Sequence, residues 1–116
     1  MRKALMVLPL LLLASESRTE TNAYDFEVIT VTSSTPVGFS SGKLSPTNGP
    51  KPRSAFVTVE TDDIRFRVDG TTPTVNYGHK VLSTSSGITI SGPENVQHFK
   101  AIGVDNTCTL MVTYER

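Results

Sequence analysis

The chain has no tryptophan and a single cysteine, Cys108, among its 116 residues. A lone thiol closes no internal disulfide, and no Cys/His grouping has the spacing of a zinc site. Aromatic residues make up only 7% of the sequence, so a ring for stacking on a ligand would have to come from Tyr24, Tyr77 or Tyr114. An excess of charge is missing too: eleven Lys+Arg stand against eleven Asp+Glu, with no basic tract of five or more residues. That balance excludes the electrostatic footprint of a nucleic-acid binder, an acidic tail and a polybasic membrane patch. The longest apolar run, residues 4–14, is about half of the roughly 20 residues that cross a bilayer as a helix, so no stable membrane span is expected.

What is present begins with Met1-Arg2-Lys3, a short basic start ahead of that leucine-rich run. This is the shape of a secretory signal peptide. A leader would end at Ala14 or Ser17, and neither position completes the preferred Ala-x-Ala. The alternative is a retained packing arm, whose Leu5, Leu8, Leu10, Leu11, Leu12 and Leu13 need a neighbour to cover them. Both readings stay open on the sequence. Residues 15–23 are polar and read as a linker. The expected organisation is therefore an apolar leader-like segment with its linker over residues 1–23, and one domain over residues 24–116.

From Tyr24 onward, short β-rich runs are divided by Gly, Pro, Ser and Asn, with no 3.6-residue periodicity long enough for an ordinary helix. The domain is read as all-β. In residues 24–32, Tyr24, Phe26 and Val28 share one face before the pattern shifts to Ile29 and Val31, which predicts a bulge or a strand buried on both sides. Residues 40–53, with Gly42, Asn48 and Gly49 interleaved with Pro46, Pro50 and Pro52, read as a long surface loop. Residues 55–60 and 64–68 form a hairpin pattern across Thr61-Asp62-Asp63, with Ile64, Phe66 and Val68 on one face and Arg65 and Arg67 on the other. Short strands follow at residues 75–77, 80–82, 87–91 and 99–102. Gly92-Pro93-Glu94 predicts one helical turn, because proline suits the first helical position and Glu94 its positive end. Residues 107–114 alternate Cys108, Leu110, Val112 and Tyr114 against Thr107, Thr109, Met111 and Thr113. Seven or eight short strands in one domain predict a β-sandwich or a jelly-roll-like barrel.

No constellation of residues points to catalysis, a metal or a cofactor. Glu60, Asp62, Asp63 and Asp69 sit at turns, where acids are common, and match no calcium loop. His79 and His98 have no partner placed by a motif. Gly38-Phe39-Ser40-Ser41-Gly42 fits Gly-x-Ser-x-Gly, but a nucleophile elbow needs a helix directly after the serine, and Lys43-Leu44-Ser45-Pro46 predicts none. Cys108, on the apolar face of its strand, is expected in the core as a small hydrophobe. Arg65, Arg67 and Lys80 form a basic stripe that nearby acids would largely cancel. For contacts with a partner, the candidates are Arg65, Arg67, Phe39, Leu44 and the apolar arm.

Two resemblances follow. Ile64-Arg65-Phe66-Arg67-Val68-Asp69-Gly70-Thr71-Thr72-Pro73-Thr74 is similar to a strand and turn of chitobiase C-terminal-type immunoglobulin-like domains. The wider pattern runs in order through residues 26–31, 55–60, 64–74, Gly78-His79, Gly92-Pro93-Glu94, residues 99–102 and 110–114. It resembles small all-β proteins of tailed-phage and prophage structural regions. That resemblance implies a non-enzymatic virion component, present in multiple copies and bound to other virion proteins. Its location would be the particle, as decoration, connector or tail. The apolar start departs from the pattern and keeps a second expectation alive: a secreted or periplasmic binding module, carbohydrate being the ligand class that the chitobiase-like turn implies.

Overall fold

A computed structural model of the protein describes residues 20–116, and the apolar arm lies outside the described residues. The described chain is an all-β sandwich of two four-stranded antiparallel sheets. Its elements, in order, are β1 (Ala23–Val31), β2 (Val37–Gly38), α1 (Ser41–Leu44), β3 (Ser54–Glu60) and β4 (Ile64–Arg67), then β5 (His79–Val81), β6 (Ile88–Ser91), α2 (Pro93–His98), β7 (Lys100–Gly103) and β8 (Cys108–Glu115).

The first sheet has the order β1-β8-β3-β6 and the second β2-β7-β4-β5. Strand β1 pairs with β8, β2 with β7, β3 with β6 and β4 with β5, so the chain is one long antiparallel hairpin rolled over on itself. The roll is closed by β8 against β3 and β7 against β4. That is the strand order of an eight-stranded jelly roll.

Period-two patterning explains which side chains fill the space between the sheets. In β8 the buried row is Cys108, Leu110, Val112 and Tyr114, and in β3 it is Ala55, Val57 and Val59. Ile64 and Val81 face each other across β4 and β5 and are both buried. One end of the sandwich is filled by rings: Phe39 stacks on Phe99 with centroids 4.3 Å apart and planes 5° from parallel, and meets Tyr114 edge-on at 5.4 Å. Phe66 adds a third ring at 5.6 Å from Phe99. Offset and edge-to-face pairs of this kind add about 0.5–1.5 kcal/mol each beyond their buried area.

The helical turn expected at Gly92-Pro93-Glu94 is α2, with Gly92 at φ +102° and Val96 buried beneath it. Four expectations are corrected. Residues 55–60 and 64–68 form no hairpin, because β3 pairs with β6 and β8 in the first sheet while β4 pairs with β5 and β7 in the second, so Thr61-Asp62-Asp63 carries the chain from one sheet to the other. Residues 75–77 form no strand, because their loop is pinned by Arg65: its Nε donates to Val75 O at 3.0 Å and its Nη1 to Gly78 O at 2.9 Å. The loop over residues 40–53 contains the single turn α1, so a helix does follow Ser40; Lys43 N and Leu44 N both donate to Ser40 O. In β1 the register irregularity lies between Ala23 and Asp25, and Phe26 and Val28 remain in register. They face outward, because the inward row of this edge strand starts with Asp25 and Glu27, which serve as acceptors for Lys43, Ser40 and Tyr114.

Candidate functional site

Of the residues singled out for partner contact, Phe39 is only 6% exposed and is a core ring, so it reaches no partner without opening the sandwich. Its burial at the end of the roll depends on Phe99 and Tyr114 arriving from far along the chain. Leu44 is half-buried against the same core, and its carbonyl accepts from Gln97 Nε2 at 3.1 Å. Arg65 is spent on the loop carbonyls described above. Arg67 pairs with Asp69, through Nε to Oδ1 at 3.1 Å and Nη2 to Oδ2 at 2.5 Å.

The expected cancelling of the basic stripe is visible in the geometry. Asp69 answers Arg67, and Asp63 lies 3.9 Å from Lys80. The Arg67 guanidinium, helped by the Thr71 hydroxyl, holds the Asp69 carboxyl well below the usual carboxylate range. Among the described residues no group of three or more His, Cys, Asp or Glu side chains could hold a metal ion, and no helix is long and apolar enough to cross a membrane. Ser40 donates to the Glu27 carboxylate, so the serine of the Gly-x-Ser-x-Gly string is engaged by an acid that also accepts from Tyr114. Cys108 is buried, and burial raises its thiol above the ordinary range.

Two surface features stand out instead. The first is the outward face of the first sheet. Register places Phe26 and Phe56 on either side of Thr113, and Val28 and Thr58 on either side of Met111. Phe26 is 53% exposed, Val28 55% and Phe56 39%. The remaining outward positions of this patch, Thr30, Ser54, Thr89, Ser91 and Thr109, are hydroxyls, and charge lies at its two ends, as Glu60 at one and Glu115 with nearby Arg53 at the other. The sequence carried half of this signal: Phe26 and Val28 are legible as one face, but which face lay in the core was not.

The second feature is a shallow cleft at the β4–β5 end, lined by Arg67, Val68, Asp69, Tyr77, Gly78 and His79. Tyr77 is 71% exposed on a loop closed by reciprocal backbone bonds between Thr74 and Tyr77. An exposed ring on a clamped loop, beside a compensated ion pair, can stack on a neutral ligand and donate to its oxygens.

The opposite end of the sandwich is tied by two acids of the β3–β4 turn. Asp62 Oδ2 accepts from Asn106 N at 2.8 Å, and Asp63 Oδ1 accepts from Ser83 N at 2.8 Å, so the β7–β8 and β5–β6 loops converge on the turn that crosses from the first sheet to the second. The role of these acids is thus to hold loops together. Comparison of the chain with protein-family models, with curated proteins and with solved structures finds no match.

Proposed function

We propose that the protein is a non-enzymatic structural or accessory component of a tailed-phage particle, acting through contacts with neighbouring virion proteins. The observation that carries this reading is the uncharged outward face of Phe26, Val28, Phe56 and Met111. Apolar side chains on a sheet surface gain about 25 cal/mol for each Å² that a partner removes from water. A small patch gives a weak contact, and repetition around a symmetric particle turns weak contacts into firm attachment. The phage-like order of motifs through residues 26–114 supports the same reading. The test is intact mass and copy number of the chain in purified particles. A regular number of copies per particle is expected; a chain found solely as free protein in the culture fluid would sink the proposal.

The cleft beside Tyr77 favours a second reading, a secreted or periplasmic module that binds carbohydrate. It predicts a mature chain lacking roughly 14 to 17 residues, and amide shifts at Tyr77, Gly78 and His79 when neutral oligosaccharide is added. A full-length chain with no such shifts removes it.

A further inference from the structure

We infer that the outward face of the β1-β8-β3-β6 sheet pairs with the same face of a second copy of this chain. The inference deepens the particle reading by naming the occupant of the face, and it concerns association of the isolated protein, so the two can fail separately.

Charge is the first argument for this occupant. The middle of the patch holds Phe26, Val28, Phe56, Thr58, Met111 and Thr113, with neither a cation nor an anion among them. A charged partner surface would lose its water there and find nothing to pair with. The outward side of the second sheet is unsuited to it, since Arg65, Arg67, Lys80 and Lys100 lie there in register. The large, uncharged, apolar surface that the described chain itself offers as a match is this face. A face that matches itself gives an isologous two-fold contact.

Shape is the second argument. Across β1, β8 and β3 one row reads Phe26, Thr113, Phe56: large, small, large. The two phenylalanine strands are two strand spacings apart, about 9.5 Å, which leaves over Thr113 a trough about one aromatic ring wide. The Phe56 ring leans away from that trough toward Gly87, where an added Cβ would come within 2.9 Å of Phe56 Cζ. A two-fold operation sets a phenylalanine of one copy into the trough of the other, with the sheets at the usual spacing of about 10 Å.

Area sets the strength. The patch spans four strands and the seven residues of β3, on the order of 400 Å² in projection, against about 800 Å² per partner in a standard interface. The dimer is therefore weak, and it forms in the micromolar range or above.

The test is sedimentation equilibrium of the full-length chain from about 5 to 500 µM, a range set by that small area. A monomer–dimer equilibrium is expected, and Met111→Glu should weaken it about 100-fold by placing an unpaired charge at the centre. Lys100→Glu, on the other sheet, should leave association unchanged. Amide shifts followed with concentration supply a readout free of mutation: movement at Phe26, Val28, Phe56 and Thr113 supports the pairing. A chain that stays monomeric throughout, a dimer that survives Met111→Glu, or shifts centred on the second sheet would overturn it.

Discussion

The Tyr114 phenol donates to Glu27 Oε1 across 2.5 Å, joining the last strand to the first beneath the ring cluster. Burial first, and the Glu27 contact second, push the phenol pKa far above its ordinary value of 10.0. Tyr114→Phe keeps the packing and leaves Glu27 one donor short, which should cost about 1–3 kcal/mol in urea unfolding. The sign with pH follows from the raised value. The contribution is full below pH 10.0 and declines as the pH climbs above it, because the unfolded chain ionises first. Between pH 9 and 11.5, stability of the wild-type chain should therefore fall more steeply than that of the variant.

Acid should act at the opposite end of the sandwich. Hydrogen bonds from Asp63 N and Asn106 lower the Asp62 carboxyl below 3.8. A depressed carboxyl stabilises the fold above its unfolded value and loses that contribution as pH falls through the lower folded one. The thermal midpoint should drop below about pH 4, and Asp62→Asn should flatten that drop. Amide exchange at Asn106 is the local reporter.

Arg65 acts as a clamp, since one planar guanidinium spans Val75 O and Gly78 O. Lysine cannot satisfy both carbonyls from a single ammonium in that geometry. Arg65→Lys should speed amide exchange and proteolysis in residues 68–78, while the β8 core keeps its protection. Equal protection of that loop in the variant would refute the clamp.

Gly87 carries φ +107°, and a Cβ there would meet Val57 O at 3.0 Å as well as the Phe56 ring. Gly87→Ala should destabilise the domain by about 1–3 kcal/mol through backbone strain and the clash. It should also push Phe56 toward Thr113 and fill the trough. The same variant then weakens self-association, a second readout on one protein.

Phe39→Ala checks the correction of its role. A ring stacked on Phe99 and edge-on to Tyr114 should cost about 3–5 kcal/mol on truncation. A surface contact residue would cost almost nothing in the isolated chain. Chemical denaturation distinguishes the two.

Local chemistry in the sequence was enough to place most strands, because alternation such as Cys108, Leu110, Val112 and Tyr114 depends on nearest neighbours in the chain and not on strand order. The same held for Pro93 opening α2 and for the turn at Asp62-Asp63, but not for the pairing across that turn, since its two flanking strands join different sheets. Residues 75–77 misled because their β-rich composition was overruled by a side chain ten residues away. Period-two alternation also says that Phe26 and Val28 share a face without saying which side of the sheet is covered.

That choice belongs to long-range pairing. Strand β8 lies between β1 and β3 and turns Glu27 toward Tyr114, which forces Phe26 and Val28 outward. The rolled hairpin likewise brings Phe39 and Phe99 together across sixty residues of sequence and places Asp62 against Asn106. Propensity and periodicity are properties of neighbours in the chain. Burial, the ring cluster and the uncharged outer face arise where distant segments meet, and no local pattern encodes which segments those are.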